Sequence, residues 1–180
     1  MHGAIFAELK KYVQSKYGSE AWQNVLSEAG LSNKLYAMTG VYEDQEAAQL
    51  VASASKLTGQ PASAILEDFG VFIVADLVAI YGVHIKPEWK TLDLLQNVET
   101  TIHKVVRTKD PGATPPELVC ERVAPNQAVI HYRSARKMCA LAKGMAKGFA
   151  IHYNERVAVS ETTCMLKGDP ECLINVRVVS

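Results

Sequence analysis

At Pro115-Pro116 the chain changes its hydrophobic period, and that switch constrains the fold more than any other feature. Before it, apolar residues recur at helical spacing; after it, they alternate as in strands. Ile5, Leu9, Tyr12 and Val13 mark a helix over residues 4–17 that Gly18 ends. Trp22, Val25, Leu26 and Ala29 mark a second, with Ser19 as N-cap and Gly30 as stop. A third covers residues 43–57 and is broken by Gly59-Gln60-Pro61. Residues 62–81 are apolar on more than one face, the mark of a helix buried between layers. Leu92, Leu95, Val98, Ile102 and Val106 predict one continuous amphipathic helix, terminated by Asp110-Pro111-Gly112.

Beyond Pro116, residues 118–123 and 128–132 read as strands joined across Pro125-Asn126. Helical spacing returns over 137–149, with Met138, Leu141, Met145 and Phe149 aligned. Gly144 and Gly148 cost that helix about 1 kcal/mol each against alanine, so they point to close approach by something bulky. Residues 156–163 and 172–178 alternate again around a Gly168-Asp169-Pro170 turn. No repeat or linker interrupts the pattern. The expectation is one α+β domain over residues 1–180, with a helical part of about 1–60. The rest, about 61–180, carries a small antiparallel sheet and a crossing helix.

At 180 residues the chain is long enough for one sizeable core. Nineteen Lys and Arg balance nineteen Asp and Glu, which leaves no net field for nucleic acid or an anionic membrane. Residues 1–14 lack the apolar run of a signal peptide, and the apolar stretch around Asp76 falls far short of the ~20 residues that span a bilayer. The expected location is the cytoplasm, with Cys120, Cys139, Cys164 and Cys172 mostly reduced.

The familiar catalytic signatures are missing: no Gly-x-Ser-x-Gly, phosphate loop, His-Glu-x-x-His or dinucleotide glycine fingerprint. His2, His84, His131 and His152 have no carboxylate partner fixed by sequence and read as surface or structural residues. His103 lies roughly 80° round its helix from Leu95, at the flank of the apolar stripe, where it can reach a cleft. A lone histidine there is more often structural than a ligand. Tyr132, Ser134 and Arg136 project to one side if the extended period holds, so that phenol, hydroxyl and guanidinium converge on one anion. On spacing alone, a strand end with a surface arginine is the better explanation, since such triplets occur by chance.

His103, the Gly112-Ala113-Thr114-Pro115-Pro116 turn and Tyr132-x-Ser134-x-Arg136, in that order, resemble the motifs of the haem-nitric oxide/oxygen-binding family, H-NOX. The likeness covers nearly the whole chain, is closest to the stand-alone bacterial type, and extends to the haem domain of soluble guanylate cyclase. The resemblance implies haem b as cofactor, with His103 as proximal iron ligand. It assigns Tyr132, Ser134 and Arg136 to the propionates, and Pro116, with Leu118 beside it, to the porphyrin. Oxygen-holding members carry a distal tyrosine where this chain has Leu141, a tryptophan matched by Leu9, and an asparagine matched by Ile73. A distal wall of Ile5, Leu9, Ile73, Leu77, Leu141 and Met145 offers bound oxygen no hydrogen-bond donor, whereas NO binds ferrous iron without one. The expectation is therefore a sensor of NO, and of CO, that holds no stable oxygen.

The likeness also implies that NO weakens the bond to His103, that the helical part then moves against the sheet, and that strain at Pro116 relaxes. Output passes to a separate effector such as a histidine kinase or a cyclic-di-GMP enzyme, and the chain itself is expected not to be an enzyme. Cys139, Cys164 and Cys172 supply three thiols for a tetrahedral site. Some H-NOX proteins resemble this and hold zinc with a histidine, a position matched here by Glu161. Zinc, a reversible disulfide and inert thiols all stay open. The alternative function is a haem-free small-molecule or zinc/thiol redox-sensing module, since residues 164–172 also resemble vinyl-reductase-like domains.

Overall fold

The computed structural model describes residues 1–179. Helices α1 (Gly3–Tyr17), α2 (Ala21–Glu28) and α3 (Asp44–Thr58) precede the long α4 (Ala62–Tyr81). His2 caps α1, its Nδ1 accepting from the Ala4 amide at 3.2 Å. Ser19 does not cap α2: Glu20 takes that position in helical geometry and makes no side-chain cap, because the chain turns earlier, at Gly18, with φ 96°. The tract expected as one helix is three pieces: α5 (Thr91–Asn97), a π turn (Glu99–His103) and α6 (Lys104–Lys109). Strands β1 (Glu117–Ala124) and β2 (Gln127–Arg133) form the first hairpin. Then α7 (Cys139–His152) crosses to β3 (Val157–Thr163) and β4 (Cys172–Val178).

The four strands make one antiparallel sheet in the order β1-β2-β4-β3. Inward residues alternate with outward ones along β2 and β4, which puts Ala128, Ile130, Tyr132, Cys172, Ile174 and Val176 against the α7 side. A second core gathers Phe6, Leu9, Tyr12, Trp22, Leu26 and Leu50 from α1–α3. Helix α4 joins the two. Ile65, Phe69 and Ile73 enter the helical core and Val74 enters the sheet core, which explains why the helix is apolar on several faces.

The close approach signalled by the α7 glycines has two sources: at Gly148 the Val74 side chain, whose Cγ2 would lie 2.6 Å from a Cβ, and at Gly144 the backbone of α4. A Cβ on Gly144 would lie 2.0 Å from the Glu67 carbonyl oxygen, and one on Gly70 would lie 2.4 Å from that of Leu141. At the Gly70–Gly144 crossing no side chain stands between the helices, and α4 and α7 meet main chain to main chain.

Candidate functional site

Between the two cores lies a cavity of about 1310 Å³, counting its open mouth. Its walls are Ile5 of α1, Leu77, Val78 and Tyr81 of α4, Leu95 and Ile102, Pro115, Pro116, Leu118 and Ile130, and Leu141, Met145 and Phe149 of α7. Among this apolar lining the nitrogen-bearing side chains are His2, His103 and Arg136. Leu9 and Ile73, expected in the same wall, sit instead in the helical core. Both are buried there because each lies on the face of its helix that meets the other α1–α4 side chains.

The π turn fixes His103. The His103 amide donates to the Val98 carbonyl, five residues back, at 2.9 Å, and the Thr100 hydroxyl and, more closely, that of Thr101 donate to the Asn97 carbonyl. A π turn takes up one extra residue within a helix, and such bulges recur at functional sites. His103 Nδ1 lies 2.8 Å from Glu99 Oε2, and the other Glu99 oxygen accepts from Arg107 at 2.6 Å. Burial lowers the readiness of His103 to take a proton, and Glu99 only partly offsets this. The ring is therefore neutral, with Nδ1–H donating to the carboxylate. Its Nε2 lone pair is left free of any hydrogen bond among the described residues, at the cavity wall.

The anion clamp is assembled differently from expectation. Strand β2 ends at Arg133, so the alternation that would align residues 132, 134 and 136 stops after one step. A turn brings them together instead: Lys137 donates to the Ser134 carbonyl at 3.0 Å and takes φ 52°, a left-handed conformation costly for a non-glycine residue. The Tyr132 phenol, buried and pushed up in pKa by that burial, accepts from the Met138 amide at 3.1 Å. Ser134 Oγ accepts from the Arg136 amide at 3.3 Å and is not part of the cavity wall. The Arg136 guanidinium reaches both Asp44 oxygens, at 3.1 and 3.0 Å, and the Thr114 carbonyl at 2.5 Å. Asp44 also meets the Met1 ammonium at 3.0 Å. Burial alone would raise the Asp44 pKa, but these two cations hold it below the usual carboxylate range.

A second site lies under the sheet. The sulfurs of Cys139, Cys164 and Cys172 and a Glu161 carboxylate oxygen all lie within 4.8 Å of one another. Cys139 and Cys164 sulfurs are 3.7 Å apart, and Glu161 Oε1 is buried without a hydrogen-bond partner. Burial pushes the Cys139 and Cys172 thiols up, so without a metal they stay protonated. Lys143 donates to the other Glu161 oxygen at 3.2 Å.

The structure superposes over its full length on that of an H-NOX protein from S. oneidensis in the Fe(II)NO ligation state, with TM-score 0.92, 22% identity and all of both chains covered. For the Fe(II) unliganded H-NOX protein from K. algicida the TM-score is 0.89 at 22% identity, covering 100% of this chain and 97% of that one. In sequence, soluble guanylate cyclase 89Da of Drosophila melanogaster is 25% identical over 138 residues, 76% of this chain. The present chain spans only 20% of that relative's length. The model of the Haem-NO-binding family matches residues 2–161. The chain belongs to the haem-NO-binding family. Members of this family are haem-based gas sensors, and the cavity fits that group. It is large and apolar, a neutral histidine with one free ring nitrogen stands in its wall, and an arginine suited to carboxylates stands at its edge. For zinc, three thiols and an unsatisfied buried carboxylate oxygen form an acceptable donor set.

Sequence reasoning missed Glu99 and Asp44, and gave Thr114, named only within its motif, no part in the clamp. Glu99 was findable, four residues before His103 and eight before Arg107. Asp44 was not, since nothing local links α3 to residue 136.

Proposed function

We propose that this chain is a haem-based sensor of NO whose iron ligand is His103. The observation that carries the reading is the place of the His103 ring, its Nδ1 2.8 Å from Glu99 Oε2 and the residue at the wall of a large apolar cavity. Arg136, Tyr132 and Ser134 hold the propionates in this reading, and Pro116 and Leu118 pack on the porphyrin. The haem, when bound, would supply a ferrous iron held by His103 and open to a diatomic ligand, and NO would loosen that hold on His103.

The chain's own residues set the selectivity and the response. Ile5, Leu77, Leu141 and Met145 line the cavity from α1, α4 and α7 and carry no hydrogen-bond donor, unlike His2 and Tyr81 elsewhere in the lining, and a wall of this kind favours NO, which needs no donor, over oxygen. Release of His103 removes the tie between the π-turn segment and the cavity contents. The helical part, about residues 1–60, then shifts against the remainder, with the Asp44–Arg136 pair as the contact that registers the movement. The signal passes to a separate effector, with a histidine kinase or a cyclic-di-GMP enzyme as the favoured classes, and the chain acts in the cytoplasm without catalysis of its own. No helix of the described residues is long and apolar enough to cross a membrane.

The test is an absorption spectrum of the reduced, haem-reconstituted protein. Five-coordinate ferrous haem with no oxygen complex in air, converted by NO to a five-coordinate nitrosyl, supports the reading. Failure to take up haem overturns it. A second reading, a zinc-bearing thiol site, draws on the Cys139, Glu161, Cys164 and Cys172 cluster. It requires no loss of the first. A zinc-loaded protein that refuses ferrous haem would make the thiol site the main function instead.

A further inference from the structure

Three side chains spaced four apart form a relay from the cavity to the surface. His103 is the innermost, its side chain 13% exposed; Glu99 is 28% exposed and Arg107 43%. The single Glu99 carboxylate serves both neighbours, His103 Nδ1 with one oxygen and Arg107 with the other. A carboxylate that accepts from one nitrogen of a neutral imidazole draws that proton away and enriches the opposite nitrogen in electron density. Outer partners of this kind orient the ring and strengthen it as a ligand. A cation on the same carboxylate works against this, because it takes up part of the negative charge that pulls on the imidazole proton.

We propose that Glu99 is the positioning residue that sets the donor strength of His103, and that Arg107 moderates it. The inference rests on His103 being the iron ligand and goes beyond it. Glu99 and Arg107 make the His103–iron bond adjustable from the protein surface, strong enough to hold at rest and weak enough for NO to release it. The four-residue spacing places Glu99 and His103 on one side of the π turn, with His103 at the cavity wall. Arg107, the most exposed of the three, is where a contact from outside would act on the bond.

The experiment compares the full chain with Glu99→Gln and Arg107→Ala, each reconstituted with ferrous haem. Two quantities are read: the iron–histidine stretching frequency by resonance Raman, and the five-coordinate fraction after NO. Glu99→Gln is expected to lower the frequency, raise that fraction and speed haem loss roughly 10-fold. Arg107→Ala, at a surface position, is expected to do the opposite: a higher frequency and more six-coordinate complex. A merely structural role for the relay would move both variants the same way. Both frequencies at the parent value, or both shifted in one direction, overturn the inference while leaving haem binding intact. If Glu99→Gln does not fold, Arg107→Ala alone decides by the sign of its shift. A parent protein without an iron–histidine band overturns the haem reading and this inference with it.

Discussion

Replacing Gly144 with alanine puts a methyl carbon where the α4 backbone already lies. The new Cβ would stand 2.0 Å from the Glu67 oxygen and 2.9 Å from Gly70 Cα, against an ordinary contact of 3.4–4 Å. The obstacle is main chain on a packed helix, so no rotamer relieves it, and α4 and α7 must part by more than an ångström. Alanine returns about 1 kcal/mol of helix propensity. Overpacking costs about 1–3 kcal/mol, here at the upper end because backbone must move. The net loss is about 2 kcal/mol, which for a domain of this size lowers Tm by about 4–8 °C. Urea and thermal unfolding measure it. Gly82→Ala is the control: Gly82 is helical at φ −54° with nothing within 4 Å of its would-be Cβ, so alanine there should stabilise by about 0.4–1 kcal/mol. If Gly144→Ala proves as stable as the parent while Gly82→Ala gains, the direct backbone contact of α4 with α7 is refuted.

Acid should weaken the Asp44 link. Its carboxyl is held below the usual range in the fold, so it stabilises above the unfolded value near 3.8 and that contribution is lost as pH falls through the folded value. Urea titrations of the parent and Asp44→Asn should stay apart down to pH 3.8 and converge only below it, and curves that remain parallel through the acid unfolding range would count against the link. Leu141→Tyr introduces a hydroxyl into the α7 wall and should give the reduced, haem-loaded protein an oxygen complex that persists in air, read by absorption. An unchanged spectrum would remove the argument from the apolar wall. Cys172→Ser should abolish zinc retained through purification, measured by elemental analysis, whereas equal zinc in the variant and the parent would exclude the thiol cluster as its site.

Most of the fold was legible because helices and strands here keep strict periods, and Pro115-Pro116 marks the change between them. Where the sequence misled, the deciding contact was distant or a matter of one residue. Nothing near residue 9 or 73 announces that these side chains turn to the helical core rather than the cavity, since both faces of α1 and α4 are apolar. Tyr132, Ser134 and Arg136 were legible as a group, but not as a turn, because the left-handed Lys137 carries no glycine or asparagine to signal it. The glycines of α7 signalled close packing without saying that the neighbour was another helix.

The π turn lets this segment carry one residue more than an ordinary helix without moving His103 off its face. Deleting Thr100 or Thr101 would leave the His103 amide four residues from the Val98 carbonyl it now reaches across five, the ordinary helical bond, and would remove no side chain that lines the cavity. Relatives can therefore keep the same ligand geometry with one residue fewer here, so alignments through the segment should be anchored on the histidine and allow a one-residue gap before it.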